Sequence, residues 1–125
     1  MRAHLPALLL AACGTAAAAH DSYRAQPLPR TAFAVPQDVF APILRGFPQG
    51  REGRQALDLS VRKDDRGRYV VLLTISGLLD DSVAAEQQRA VMRYEDGGWR
   101  VIALGRRWRC QRGRGPSGWT TRLCS

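Results

Sequence analysis

Lysine is nearly missing from this 125-residue chain: Lys63 stands alone, and the other 18 basic residues are arginine. Arginine codons are GC-rich, so the excess by itself names no function. Asparagine is absent, which removes any N-glycosylation acceptor. Histidine is limited to His4 and His20. With His20 in a leader or tether, the folded body holds no imidazole. A Ser-His-Asp or Cys-His site then lacks its base, and a zinc site would have to rely on two cysteines and carboxylates. No metal, cofactor or catalytic set is therefore expected, and the chain reads as non-enzymatic. Proton transfer by carboxylate or tyrosine alone stays open. No apolar run reaches the roughly 18 residues a spanning helix needs. Hydrophobic residues at 45% and charged residues at 24% still describe a globular chain, and the length suits one domain.

The positive charge that remains is unevenly placed. Residues 1–96 carry 12 basic and 11 acidic side chains, whereas residues 97–125 carry seven arginines and no acid. Nearly all of the net +8 therefore belongs to the last quarter. Arg107, Arg109, Arg112 and Arg114 surround Trp108 there, with Trp119 nearby. Guanidinium groups pair bidentately with phosphate or carboxylate and stack on aromatic rings. These five residues, Trp108 included, form the candidate anion-binding face. In an exported protein its expected partner is an anionic envelope polymer or envelope protein rather than nucleic acid.

The N-terminus reads as an address. Met1-Arg2-Ala3-His4 is weakly basic, Leu5–Ala12 is a short apolar core, and small residues follow. That layout is a secretory signal over 1–12. Leu10-Ala11-Ala12-Cys13 resembles the lipobox of bacterial lipoprotein precursors, which implies a lipid anchor on Cys13. Gly14, in place of the Asp that retains such proteins at the inner membrane, implies the periplasmic face of the outer membrane. Ala17-Ala18-Ala19 also permits a cut before His20, giving a soluble periplasmic or secreted protein instead. Removing or lipidating Cys13 leaves Cys110 and Cys124 as an even pair, and an oxidising compartment would join them. In a cytosolic protein they would be two free thiols.

Residues 13–35, with Ala16–Ala19 and Gln26-Pro27-Leu28-Pro29, are expected to be a tether to a single domain over 36–125. Val39, Phe40, Ile43 and Leu44 share a helical face, which Pro42 keeps short or broken. The period then changes to two. Leu57–Val61, Tyr69–Ile75, Gln87–Glu95 and Trp99–Leu104 read as four antiparallel strands, the last extending toward Cys110. Asp96-Gly97-Gly98 is a hairpin turn. A short N-terminal helix packed on a four-stranded sheet is an α+β fold. Its element order resembles cystatin-like and NTF2-like domains, which implies a pocket between helix and sheet with Tyr69, Tyr94 and Asp80 or Asp81 as its polar groups. That is the alternative reading, a small periplasmic ligand-pocket protein or enzyme. A third reading is a structural subunit whose exposed sheet edge pairs with another protein.

The run Gly77-Leu78-x-Asp80-Asp81-Ser82-Val83, then Gly98-Trp99-Arg100-Val101, Trp108-Arg109-Cys110, Gly113-Arg114-Gly115, Trp119 and Cys124, resembles a pattern in small exported proteins of proteobacteria. That resemblance implies no activity. Asp80-Asp81-Ser82 is the best acidic cluster, and it reads first as local backbone capping, either of a turn or of a short helix over Val83–Gln88. Gly113–Gly118 spells G-x-G-x-x-G, but the chain ends too soon afterwards for the helix that phosphate binding requires.

Overall fold

The computed structural model describes residues 22–50 and 54–125. The expected signal segment, the lipidation expected at Cys13 and the alternative cut after Ala19 lie outside the described residues. The fold is mostly β. Six antiparallel strands form one sheet: β1 (Arg24–Ala25), β2 (Ala56–Lys63), β3 (Tyr69–Ser76), β4 (Val83–Glu95), β5 (Gly98–Cys110) and β6 (Trp119–Thr120). Their order is β1-β5-β4-β3-β2, with β6 also paired to β5.

This corrects the expected α+β architecture in two places. First, no N-terminal helix covers a four-stranded sheet. Pro36–Phe40 is a 3-10 turn, and α1 (Ala41–Arg45) is a helix of five residues. Prolines set both limits: Pro36 opens the turn, and Pro42 sits in the first turn of α1, where its missing N–H breaks no helical bond. Gly46 closes α1 by donating its N–H to the carbonyls of Pro42 and Ile43. Second, β1 and β6 add two strands of two residues each. Both pair with the outer edge of β5, β1 at Gly105 and Arg106 and β6 at Trp108 and Arg109. Phe33 bridges the same edge at Trp99. The described part of the expected tether, 22–35, therefore runs along β5.

The four alternating segments do form β2–β5, joined by short turns. Asp96 and Gly97 both adopt positive φ (51° and 80°), the signature of a type I′ hairpin whose twist matches its flanking strands. Asp64 shapes the β2–β3 turn. Its Oδ1 accepts the N–H groups of Arg66 and Arg68, and its Oδ2 pairs with the Arg68 guanidinium at 2.7 Å. The loop before β4 relies on Asp80, whose Oδ1 accepts from the Ser82 N–H, the Ser82 hydroxyl and the Val83 N–H. No helix follows it, because Val83 already begins β4.

These bonds hold both carboxyls below the ordinary aspartate value. At Asp80 the Ser82 N–H is the largest influence, followed by the Val83 N–H. At Asp64 partial desolvation opposes ionisation, but the bonds from Arg68 and Arg66 outweigh it. A carboxyl depressed on folding stabilises the fold above its unfolded pKa, and that contribution is lost as pH falls through the folded value. The melting temperature is therefore expected to hold steady down to about pH 5 and to fall below about pH 4. Asp64→Ala/Asp80→Ala should flatten that fall. An equally steep acid transition in the double variant, followed by circular dichroism, would count against this assignment.

Each strand splits the sheet into two faces. On one, Val71, Leu73, Ala90, Met92 and Val101 join Phe40 in the core, with Val39, Ile43, Leu44, Leu57, Leu59 and Leu104 packed around them. The turn and α1 supply the cover. Trp99 ends this core between the edges of Tyr69 and Tyr94. Among the described residues, no helix lies over the other face.

Candidate functional site

Alternation along β5 decides which arginines meet. Arg107 and Arg109 point to the uncovered face, while Arg106 and Trp108 point to the core side. Arg106 pairs with Glu86 at 2.8 Å and lies over the Trp108 ring. Trp108 is 8% exposed and donates its Nε1–H to the Arg122 carbonyl. It therefore does not share a face with Arg107 and Arg109, which corrects its placement in the anion-binding set.

On the uncovered face, aromatic rings from distant segments separate three guanidinium groups. Arg89 lies 5.8 Å from the Tyr23 ring centroid, and Arg107 lies 4.5 Å from the same ring. Arg107 is also 5.1 Å from Trp119, and Arg109 is 4.7 Å from Trp119. The sequence Arg89, Tyr23, Arg107, Trp119, Arg109 is a ladder of alternating cation and ring. Gln87 anchors its middle. Its Oε1 accepts from Arg107 Nε at 2.7 Å and from the Tyr23 hydroxyl at 2.8 Å, and its amide donates to Thr74 Oγ1. Gln87 and Arg107 are 7% and 8% exposed, so the centre of the ladder is a fixed element, while Arg109 at its end is open to solvent.

Two local features place the rings. Gly105 has no side chain where Tyr23 crosses the sheet, and a Cβ there would come within 2.5 Å of the Tyr23 Cβ. The Cys110–Cys124 disulfide folds the C-terminal segment back so that β6 pairs with β5 and Trp119 lands beside Arg107. Gly115 passes close against the Cys110 sulfur within that loop. After Gly118 comes β6, not a helix, so the G-x-G-x-x-G run builds no dinucleotide cradle.

Arg112 and Arg114 are exposed in the disulfide loop, where the Arg114 guanidinium reaches the Ser125 carbonyl. Register adds Arg62, Arg93 and Arg100 to the strand residues of the ladder face, against Asp58 and Glu95. Arg93 and Glu95 pair at 2.8 Å, and Arg93 is the main reason the Glu95 carboxyl is held below its ordinary value. The face is thus strongly basic. Its centre is rigid and its rim is solvated.

The alternative pocket does not assemble from its expected groups. Tyr69 and Tyr94 flank Trp99 near one end of β4, and Asp80 and Asp81 lie before its other end, roughly 40 Å along the strand. Phe40, Val39, Ile43 and Leu44 pack onto the sheet, and beside them a small space of about 200 Å³ opens between Ile43, Phe47, Ile75 and Gln88, with none of Tyr69, Tyr94, Asp80 and Asp81 in its lining. An apolar cleft of about 520 Å³ lies instead between Pro27–Pro29 and the turn-helix segment, lined by Phe33, Val39, Pro42 and Leu104. The chain matches no protein-family model, no curated protein and no solved structure.

Proposed function

We propose that this chain is a non-enzymatic envelope lipoprotein whose β-domain, carried by a lipid on Cys13, docks on an anionic envelope component through the Arg/aromatic ladder face. The observation that carries the reading is the ladder itself, which holds guanidinium groups in a fixed row on a face with few acids. At Arg89 and Arg109, stacking on a ring leaves in-plane N–H donors to meet phosphate or carboxylate oxygens, while buried Arg107 ties the row together through both rings and Gln87. A row of such groups suits a polyanionic surface better than one small anion. The Cys110–Cys124 bridge and the signal-like start support an oxidising, extracytoplasmic setting. On this reading Arg89 and Arg109 meet the anion, Arg107 positions them from the buried centre, and Arg112 and Arg114 lie at the rim.

Vesicle co-sedimentation tests the reading. The oxidised protein with Cys13→Ser, so that no lipid anchor inserts into either bilayer, is expected to bind phosphatidylglycerol vesicles and not phosphatidylcholine ones, with affinity falling steeply as salt rises. Arg109→Glu, at the open end of the ladder, should weaken binding by about tenfold at 50–100 mM salt, on the scale of about 1 kcal/mol per surface-bound basic residue lost and a repulsive charge gained. Equal binding to both lipids, or an Arg109→Glu variant that binds as the parent does, would overturn the reading.

A further inference from the structure

The two edges of the sheet are treated differently. The outer edge of β5 is covered in three places, by Phe33, β1 and β6. Among the described residues, no strand pairs with the outer edge of β2. That edge has neither proline nor bulge to block pairing, and its guard is its charges. β2 runs eight residues with no proline, and its register with β3 is unbroken by any bulge. Val61 stands 38% exposed on it.

We infer that β2 is a self-pairing edge, and that two copies of this chain join through antiparallel β2 strands about a two-fold axis at Ser60. The sequence of β2 is complementary to itself in that register. Asp58 falls opposite Arg62 of the second copy, and Arg62 opposite Asp58, so the axis creates two cross-strand ion pairs from one. Leu59 falls opposite Val61 on the core side, and Ser60 meets Ser60. Opposed charges and apolar pairs each favour an antiparallel register. A one-residue shift would oppose residues from unlike faces, and a two-residue shift sets Asp58 or Arg62 opposite Ser60, so the register about Ser60 is the one that forms both ion pairs. The charges that would repel an arbitrary strand instead select a second copy of this one.

The dimer is a closed, isologous pair, so it does not propagate into fibres. Directly opposed residues in an antiparallel pair share a face. Both ladder faces therefore lie on the same side of one continuous sheet, doubling the row of guanidinium groups without any new contact. The dimer itself does not depend on what that face binds.

Sedimentation velocity over a concentration series tests the inference, using the full chain with Cys13→Ser so that neither lipid nor a stray thiol joins copies. The parent is expected to form a dimer. Asp58→Arg alone and Arg62→Asp alone each set like charges opposite one another twice, and each should weaken the dimer at least about tenfold. The two together restore opposite charges and should restore the dimer. Mild oxidation should link Ser60→Cys chains covalently and leave Arg62→Cys chains unlinked, because residue 62 faces residue 58. A parent that stays monomeric at every concentration would overturn the inference. So would single variants that remain dimeric, a double variant that does not recover, or Arg62→Cys linking as readily as Ser60→Cys.

Discussion

Reducing Cys110–Cys124, or replacing both residues by serine, is expected to lower folding stability by about 3 kcal/mol, on the chain-entropy scale for a loop of this length. The effect should be more than a uniform loss. β6 is held to β5 by two residue pairs only, Trp108 with Thr120 and Arg109 with Trp119. Two pairs of edge residues cannot offset the ordering of the 13 residues between the cysteines without the covalent tie. Trp119 should therefore leave the ladder, and Trp108 should lose the Arg122 carbonyl that accepts its N–H. Tryptophan fluorescence is expected to shift to the red on reduction, ahead of any change in the β-sheet signal. A reduced chain with unchanged fluorescence would mean that β6 holds without the bridge.

Arg107→Ala should have an effect of similar size, about 2–4 kcal/mol. It removes one of the two donors to Gln87 Oε1, the Tyr23 hydroxyl remaining, a loss of about 1–2 kcal/mol, and it removes stacking of about 0.5–1 kcal/mol from each of two rings. Arg107→Lys keeps the charge but not the plane or the fork, so it should fall between the alanine variant and the parent. Arg107→Met keeps length and apolar packing, and separates the stem's contribution from that of the head. Denaturant unfolding of the oxidised proteins measures the series. If lysine were fully equivalent to arginine, charge alone would matter and the stacked geometry would carry no weight.

How far the sequence could be read depended on whether a feature was local. The alternation of β2 and β4, the continuous apolar run of β3 that marks a central strand and the Asp-Gly turn are legible because each is set by near neighbours. β1 and β6 were not, since two residues show no period and exist as strands only because β5 offers them an edge. The segment 22–35, polar and rich in proline, read as a tether for the same reason. Pro42 warned of a broken helix, but nothing local showed that the remainder would shrink to a 3-10 turn and five residues.

The ladder was legible in part. Arg107 and Arg109 are legible from the basic C-terminus, but adjacency groups Trp108 with them, and once β5 reaches Cys110 the alternation of the strand turns Trp108 the other way. Arg89, Gln87 and Tyr23 carried no signal, because their meeting depends on β4 and β1 flanking β5. Trp119 joins them only through the chain reversal that the disulfide enforces.

The most direct test of the account as a whole is the intact mass of the protein purified from its own cells without reductant, beside a reduced sample. The account predicts a chain that starts at Cys13 with acyl additions and gains about two daltons on reduction, as one disulfide requires. A full-length chain whose mass is unchanged by reductant would contradict both the anchor and the clasp. The Arg/aromatic face would then have to be explained in a reducing compartment.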